Sequence, residues 1–288
     1  MSEVLQQLVE LLALEQIEVN LFRGQSQDLG WGQVFGGQVL GQALSAAAQT
    51  VPNERIVHSL HAYFLLTGRV DRPIVYDVER IRDGGSFTTR RVVAIQNGQA
   101  IFSMSASFQL DQDGFEHQDE MPEMPGPENL PSQVDLARKI ASKIPSPLRE
   151  RFTADSPIEI RLIKPMNYLA PDIREPQSAA WYKANGDLPD DPALHRYLAA
   201  YASDFNFLAT AMYPHGVSWL RPKMQVASLD HAMWFHRPFR MDEWLLHVVE
   251  SPSASGGRGL VRGRMFNRRG DLVASTAQEG LMRLRRSK

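Results

Sequence analysis

An internal repeat is the feature of this sequence that most restricts its fold. The string HAYF, which begins at His61, returns as HAMWF at His231, 170 residues later. The string QNGQAIFSMS, which contains Gly98, returns as NRRGDLVAST around Gly270, 172 residues later. An insertion of two residues accounts for the difference. A repeat of this kind indicates two copies of one structural unit, and such copies commonly pack side by side.

Each copy starts with a helical pattern and continues with strand patterns. In the first copy, GQVLGQALSAAAQT has apolar residues at helical spacing and small residues that allow close approach to a sheet, and Pro52 ends the pattern. Strand patterns fill His58–Leu110, with turn signals at RDGG and QNG. The second copy has a helical pattern from Ala193 to Met212. Because an antiparallel sheet must cover its apolar face, we predict an α+β fold in which each sheet wraps a long helix.

The segment between the two copies has a different composition. The string DQDGFEHQDEMPEMPGPENLPS is acidic and rich in proline, with few apolar side chains to bury, and a short helix is predicted after it at QVDLARKIASKI. We therefore predict a first repeat over residues 1–112, a linker over 113–156 and a second repeat over 157–288.

Composition excludes several classes of function. The chain has 31 basic and 33 acidic residues and a net charge of −2, so no overall charge attracts nucleic acid or anionic lipid. The absence of cysteine excludes a thiol nucleophile, disulfides and cysteine-ligated metals. No window approaches the ~18 unbroken apolar residues of a membrane helix, and the N-terminal amphipathic pattern lacks the basic region of a signal peptide. We expect a cytoplasmic protein without nucleic-acid or membrane partners.

Asp204 is the residue that most suggests chemistry. It lies in YASDFNFLATAM among apolar and small residues, where an unpaired carboxylate would be costly. It is interpreted either as a helix N-cap or as a functional group. Asp230 and His231 also suggest acid–base chemistry, but adjacent strand residues point to opposite faces, so a structural role is favoured for this pair.

Several strings spread over nearly the whole chain resemble the bacterial acyl-CoA thioesterase II (TesB) family. They are FRGQSQDLGWGQVFGGQVLGQAL, YASDFNFL, SLDHAMWFHRPF, EWLLHVVESPSASGGRG and VASTAQEGLMR. The resemblance implies a double hotdog fold and hydrolysis of medium- to long-chain fatty acyl-CoA to fatty acid and CoA, without a metal or cofactor. It also implies a homo-oligomer, expected to be a tetramer.

The catalytic residues of that family correspond to Asp204, Ser228 and Gln278 here, with Ser228 where many bacterial relatives have threonine. Thioester hydrolysis needs a positioned water, a base and donors for the developing oxyanion. Partial burial would raise the pKa of Asp204 toward working pH, while Ser228 and Gln278 could hold the carboxylate or the water. Amides at the start of the second hotdog helix are the expected oxyanion donors.

By the repeat spacings Ser228 corresponds to His58 and Gln278 to Ala106, so one working site per chain is expected.

Three alternatives to this mechanism and function remain open from the sequence. Asp204 could attack the thioester itself instead of activating water. A hotdog enoyl-CoA hydratase could pair Asp204 with His58, and a non-catalytic protein could bind acyl-CoA without turnover.

Overall fold

The computed structural model describes residues 1–144 and 146–285, so Pro145 of the predicted linker and residues 286–288 of the predicted second repeat lie outside the described residues. No helix within the described ranges is long and apolar enough to cross a membrane. The elements up to residue 110 are α1 (Glu3–Leu12), β1 (Glu15–Glu18), β2 (Leu21–Gly24), α2 (Gly36–Ala48), β3 (Arg55–Phe64), β4 (Ile74–Asp83), β5 (Phe87–Gln96) and β6 (Gln99–Leu110).

The connecting segment and the second half contain the remaining elements. Two short 3-10 turns, Pro127–Asn129 and Ala141–Lys143, flank the first helix of the connecting segment. The longer elements are α3 (Gln133–Lys139), α4 (Ser146–Thr153), β7 (Ile158–Leu162), β8 (Gln177–Ala184), α5 (Pro192–Ser203), a 3-10 stretch (Leu208–His215), β9 (Met224–Ser228), β10 (Asp230–Phe235), β11 (Leu245–Ser255), β12 (Arg258–Asn267) and β13 (Leu272–Leu284).

All of these strands belong to one antiparallel sheet. Its order is β1-β2-β4-β5-β6-β3-β10-β13-β12-β11-β8-β7, and β9 pairs with β13 beside this path. The halves meet where β3 pairs with β10, with Leu60 opposite Met233. Read from either edge, the order passes through equivalent strands of the two copies. The α+β double hotdog prediction is therefore confirmed, with the copies related by an approximate two-fold axis.

The two long helices pack against each other inside the sheet. A Cβ atom on Gly37 would overlap the carbonyl oxygen of Tyr201, and one on Gly41 would lie 3.1 Å from the carbonyl oxygen of Tyr197. These two glycines of α2 therefore admit the neighbouring helix α5, and α2 also packs on β3, β4, β5 and β6 of the sheet. Since the contacts run in opposite directions along the two helices, the N-terminus of α2 lies beside the C-terminus of α5.

Helix α5 is shorter than the sequence pattern predicts. The pattern continues to Met212, whereas α5 ends at Ser203 and Asp204 is its C-cap. Asn206 has a φ of 57°, a left-handed conformation that stops an α-helix. The chain then resumes as 3-10 turns from Leu208. Asp204 thus lies at the end of a helix, and the N-cap interpretation of this residue was wrong.

The connecting segment is held against the second half of the sheet. Trp181 Nε1 donates to the carbonyl of Pro125 at 2.8 Å, and Arg161 Nη1 donates to that of Pro127 at 2.7 Å. Gln118 Nε2 donates to the carbonyl of Gly270 at 2.8 Å. These three hydrogen bonds hold the segment in place despite its low apolar content.

Candidate active site

Three separate segments bring Asp204, Ser228 and Gln278 together. Asp204 follows α5, Ser228 ends β9 and Gln278 lies within β13. The Ser228 hydroxyl donates to Asp204 Oδ1 at 3.4 Å, and Gln278 Nε2 donates to Ser228 Oγ at 2.8 Å. The Gln278 amide also hydrogen-bonds the Asp204 carboxylate. The three residues therefore form one connected group, which we call the trio.

The first turn of α2 completes the surroundings of the carboxylate. The N-cap of this helix, Phe35, provides no side-chain hydrogen bond, and the backbone N–H of Gly37 donates to Asp204. Asp204 therefore accepts one of the N–H groups that a helix leaves unpaired at its start. A Cβ atom on Gly36 would lie 2.5 Å from Asp204 Oδ2, so the glycine at this position makes room for the carboxylate.

The expectation that the second hotdog helix supplies the oxyanion donors was wrong in its choice of helix. Helix α5 begins with Pro192, which has no N–H, and the next amide, that of Ala193, donates to Asp191 Oδ1 at 2.9 Å. This end is a full 12-residue helix away from Asp204. The positive helix end at the site belongs to α2, from the first repeat.

Burial makes Asp204 a stronger base than an ordinary aspartate. Removal from water raises the pKa of its carboxyl to about 6, although hydrogen bonds from Gln278, Ser228 and the Gly37 amide act in the opposite direction. The side chain faces the cavity and stays partly accessible through it. Asp204 is therefore ionised at neutral pH and can accept a proton from a bound molecule.

A cavity of about 860 Å³ opens beside the trio. Its walls come from the loop before α2, the connecting segment and the second repeat, and they combine apolar side chains with polar and charged ones. Trp31, Phe152 and Trp219 form an aromatic cluster there, with the Trp31 and Trp219 rings 4.9 Å apart. The Arg151 guanidinium lies 3.0 Å from the Trp31 ring centroid. The dimensions and lining suit a long, flexible ligand that has both apolar and polar parts.

His58 does not take part in this site. In the sheet Val57 lies opposite Phe108, and Ser228 lies opposite Gly280. Since Phe108 and Gly280 are 172 residues apart, like Gly98 and Gly270, Val57 is the counterpart of Ser228. The correspondence of Ser228 with His58 was therefore wrong by one residue. His58 sits at an irregularity of β3, shares a 2.8 Å hydrogen bond with Ser107 Oγ and does not line the cavity.

The corresponding region of the first repeat is filled by Arg90. Ala106, the counterpart of Gln278, lies opposite Arg90 in the sheet. The Arg90 side chain is almost fully buried and donates to Thr50 Oγ1 at 2.9 Å and to Asp83 Oδ1 at 2.6 Å. In the first repeat, the space that corresponds to the site of the trio is therefore occupied by the Arg90 guanidinium, which is hydrogen-bonded to Thr50 and Asp83.

His231 is a residue near the site whose contact the sequence did not reveal. It is 1% exposed, and its Nδ1 lies 2.6 Å from Gln278 Oε1. Asp230 points to the other face, where Oδ1 accepts the Glu279 amide at 2.6 Å. The prediction of opposite faces is confirmed. The available signal was strand alternation, which places His231 on the same side as the buried Met233.

Comparisons with known proteins show the family of the chain. Residues 26–109 match the acyl-CoA thioesterase N-terminal domain model, and residues 147–281 match the acyl-CoA thioesterase model. The sequence is 47% identical to acyl-CoA thioesterase 2 of Haemophilus influenzae, over 98% of this chain and 99% of that protein.

Solved structures show the same fold. The structure of acyl-CoA thioesterase II TesB2 from Mycobacterium marinum matches with a TM-score of 0.79 and 44% identity, over 96% of this chain and 98% of that one. A hot dog fold protein from Alicyclobacillus acidocaldarius, 20% identical, matches with a TM-score of 0.77 over 97% of this chain and 99% of that one. The chain belongs to the acyl-CoA thioesterase family and is a hydrolase of acyl-CoA thioesters.

Proposed function

We propose that Asp204 is the general base that activates water for direct attack on the thioester carbonyl carbon. One observation carries this proposal: a carboxylate with a pKa of about 6 lies on the cavity wall and is held by two side-chain donors. Asp204 takes a proton from water as the water oxygen bonds to the carbonyl carbon. The tetrahedral intermediate then expels the CoA sulfur, which recovers the proton from Asp204.

Ser228 and Gln278 fix the orientation of the Asp204 carboxylate. Their hydrogen bonds to the carboxylate and to each other hold one Asp204 oxygen and so orient the carboxylate toward the water molecule. The first turn of α2 places the positive end of a helix beside the same point. Negative charge that develops on the thioester oxygen is stabilised by such an arrangement.

The proposed substrates are medium- to long-chain fatty acyl-CoA molecules. The cavity of about 860 Å³ and its apolar wall residues, among them Trp31, Phe152 and Trp219, support this range. A profile of kcat/KM against acyl chain length, measured with purified protein, tests it. A preference for acetyl- or propionyl-CoA would contradict the proposal.

Asp204→Asn should abolish turnover while preserving the fold. Loss of a general base costs about 10²- to 10⁴-fold in rate, and Asn is nearly the same size as Asp. Free CoA release, followed with a thiol reagent, measures the effect, and circular dichroism checks the fold. Asp230→Asn is the matched control because that carboxylate points to the opposite face and accepts a backbone amide. Retention of more than a few per cent of activity in Asp204→Asn would remove Asp204 from the mechanism.

A single turnover in heavy-oxygen water separates direct attack from covalent catalysis. Direct attack puts the label into the fatty acid and none into the protein. If Asp204 instead formed a mixed anhydride with the acyl group, label would enter its carboxylate, and mass spectrometry of the peptide containing Asp204 would detect it. That result would overturn the direct-water mechanism.

The structure gives the hydratase alternative no support, because His58 is bonded to Ser107 in the first repeat and does not line the cavity. A non-catalytic acyl-CoA-binding role, which would require tight binding with no CoA release, disagrees with the family of the chain. The thiol assay used for Asp204→Asn tests both alternatives, together with a measurement of enoyl absorbance.

The cytoplasmic location, the tetramer and the division at residues 112 and 157 also stay proposals. An exposed strip on the outer face of the central strands, which includes the aromatic side chains of Tyr63 on β3 and Trp234 on β10, supports self-association. The division into 1–112, 113–156 and 157–288 is supported by the approximate two-fold order of the strands.

A further inference from the structure

His231 is a buried titratable group that the proposed chemistry leaves unused. It lies on β10 and is 1% exposed. Its Nδ1 is 2.6 Å from Gln278 Oε1, and its Nε2 is 3.0 Å from Ser203 Oγ. Ser203 directly precedes Asp204 in the chain. A closed path of contacts therefore runs from Asp204 through Gln278 and His231 to Ser203 and back to Asp204.

The charge of Asp204 decides how the Gln278 amide must be oriented. An ionised carboxylate accepts hydrogen bonds and cannot donate one. The amide nitrogen of Gln278 must therefore face Asp204 and Ser228, and the amide oxygen must face His231. In the opposite orientation of the Gln278 amide, its oxygen would lie against the Asp204 carboxylate, where it would repel the negative charge.

The orientation of Gln278 in turn selects one form of the imidazole. Burial lowers the pKa of His231 to about 4, so the ring is neutral at working pH and carries a single N–H. Since Gln278 presents an oxygen, that N–H must be on Nδ1. Nε2 is then an acceptor, and the single hydroxyl proton of Ser203 points to Nε2, 3.0 Å away, instead of to the Ala200 carbonyl, 2.9 Å away.

We propose that His231 is a positioning residue: its Nδ1–H group donates to Gln278 Oε1 and so holds the amide nitrogen of Gln278 toward Ser228 and Asp204. This inference rests on the proposed catalytic trio. Without the Nδ1 donor the Gln278 amide can rotate by half a turn. Asp204 would then lose a donor and face an amide oxygen instead.

Two isosteric variants separate this role from simple packing. An Asn side chain at position 231 reaches the place of Nδ1 and can donate to Gln278. A Gln side chain reaches the place of Nε2 and can bond only Ser203. His231→Leu removes both contacts. His247→Asn is the matched control, since His247 is equally buried and adjacent to His231 but contacts Thr276 instead of the trio.

The first readout is kcat. His231→Asn should keep it within about threefold of the native chain, whereas His231→Gln and His231→Leu should lower it about 10- to 100-fold, because a buried hydrogen bond to a catalytic group is lost. KM should change little, since the trio does not hold the acyl chain.

The second readout is the acid limb of the pH profile of kcat/KM. Loss of a donor favours the protonated form of Asp204, so the limb should move up by about one pH unit in His231→Gln and His231→Leu. It should stay in place in His231→Asn and His247→Asn. Other ionisable groups on the cavity wall, all unchanged in these variants, are Asp28, Glu150, Arg151, Asp155, Tyr168 and Tyr201.

A purely structural role would lower the melting temperature of all His231 variants without moving the limb. An unmoved limb, or equal activity of His231→Asn and His231→Gln, would overturn the inference. Gln278→Ala distinguishes this failure from failure of the trio. If Gln278→Ala is as active as the native chain, the proposed function is wrong at Gln278; if it is inactive and the limb stays fixed, only the role of His231 is wrong.

Discussion

Asp204, the proposed general base, occupies its position at a cost in stability. Burial raises its pKa from 3.8 to about 6, so the folded chain binds a proton more tightly at this carboxyl than the unfolded chain does. Its contribution to stability is therefore fully present below pH 3.8 and is lost as the pH rises through 6. At neutral pH the ionised carboxylate opposes folding.

Asp204→Asn should consequently be more stable than the native chain at neutral pH. A pKa difference of about two units corresponds to at most about 3 kcal/mol, and a gain of 1–2 kcal/mol is expected because Asn fits the hydrogen-bond donors less well. Melting temperatures at pH 7.5 and pH 4 measure the effect, which should shrink at pH 4. Asp113→Asn, an exposed position in the connecting segment, should show neither gain nor pH dependence. A loss of stability at pH 7.5 would contradict the prediction.

The limits of sequence reasoning at single residues are clearest for the histidines. The matching strings around His61 and His231 revealed the repeat, yet His61 is exposed and His231 is buried. A shift of one residue in a strand exchanges its two faces, so the matched strings did not identify equivalent side chains. The trio was found through family resemblance because its members come from three distant segments. Strand alternation alone could not show that His231 touches Gln278.

At the level of elements, the site depends on two helix ends that meet. The C-terminal end of α5 presents Asp204, and the N-terminal turn of α2 accepts it because residue 36 is glycine. The sequence predicted both helices but placed the end of α5 near Met212. Periodicity continued through Phe205–Met212, and only the left-handed Asn206 reveals the break. Such a local backbone conformation is determined by tertiary packing and is not visible in the hydrophobic periodicity of the sequence.

Gly36→Ala should lower kcat by about tenfold or more, since misplacing a catalytic group by ~1 Å can cost 10²-fold in rate. The added Cβ would lie 2.5 Å from Asp204 Oδ2 and 3.0 Å from Phe64 Cε1, so the carboxylate must move. Alanine is otherwise favourable in a helix, and the melting temperature should change little. Gly85→Ala, where the Cβ meets open space, is the control. Normal kcat in Gly36→Ala would show that the carboxylate can shift without harm.

At the level of the whole molecule, duplication has produced one chain with two unlike halves. The second repeat holds the trio, while the first contributes the α2 terminus and part of the cavity wall. Its own equivalent space is occupied by Arg90 and the Thr50 side chain. The connecting segment adds Arg151 and Phe152 to the cavity. Sequence composition indicated a linker but gave no sign of this contribution, because only contacts made in the folded chain reveal it.

The exposed strip on the central strands is the surface expected to join copies of the chain. Tyr63 is 62% exposed and Trp234 is 36% exposed, and the Trp234 ring packs edge-on against His61 at 5.2 Å. Since this strip is on the outer face, its mutation should leave the trio intact. A lysine at Trp234 would put a charge into any contact between copies, where burial without a partner is costly.

Trp234→Lys should therefore dissociate the proposed tetramer while activity per chain persists. Light scattering after size-exclusion chromatography should give a mass near four times the 32.4 kDa of one chain for the native protein, and a smaller mass for the variant. Phe115→Lys is the control, because Phe115 is fully exposed on the connecting segment, away from the strip. A native protein that runs as a monomer would contradict the tetramer. An unchanged mass in Trp234→Lys would place the contact between copies away from Trp234, since a buried lysine there would weaken assembly.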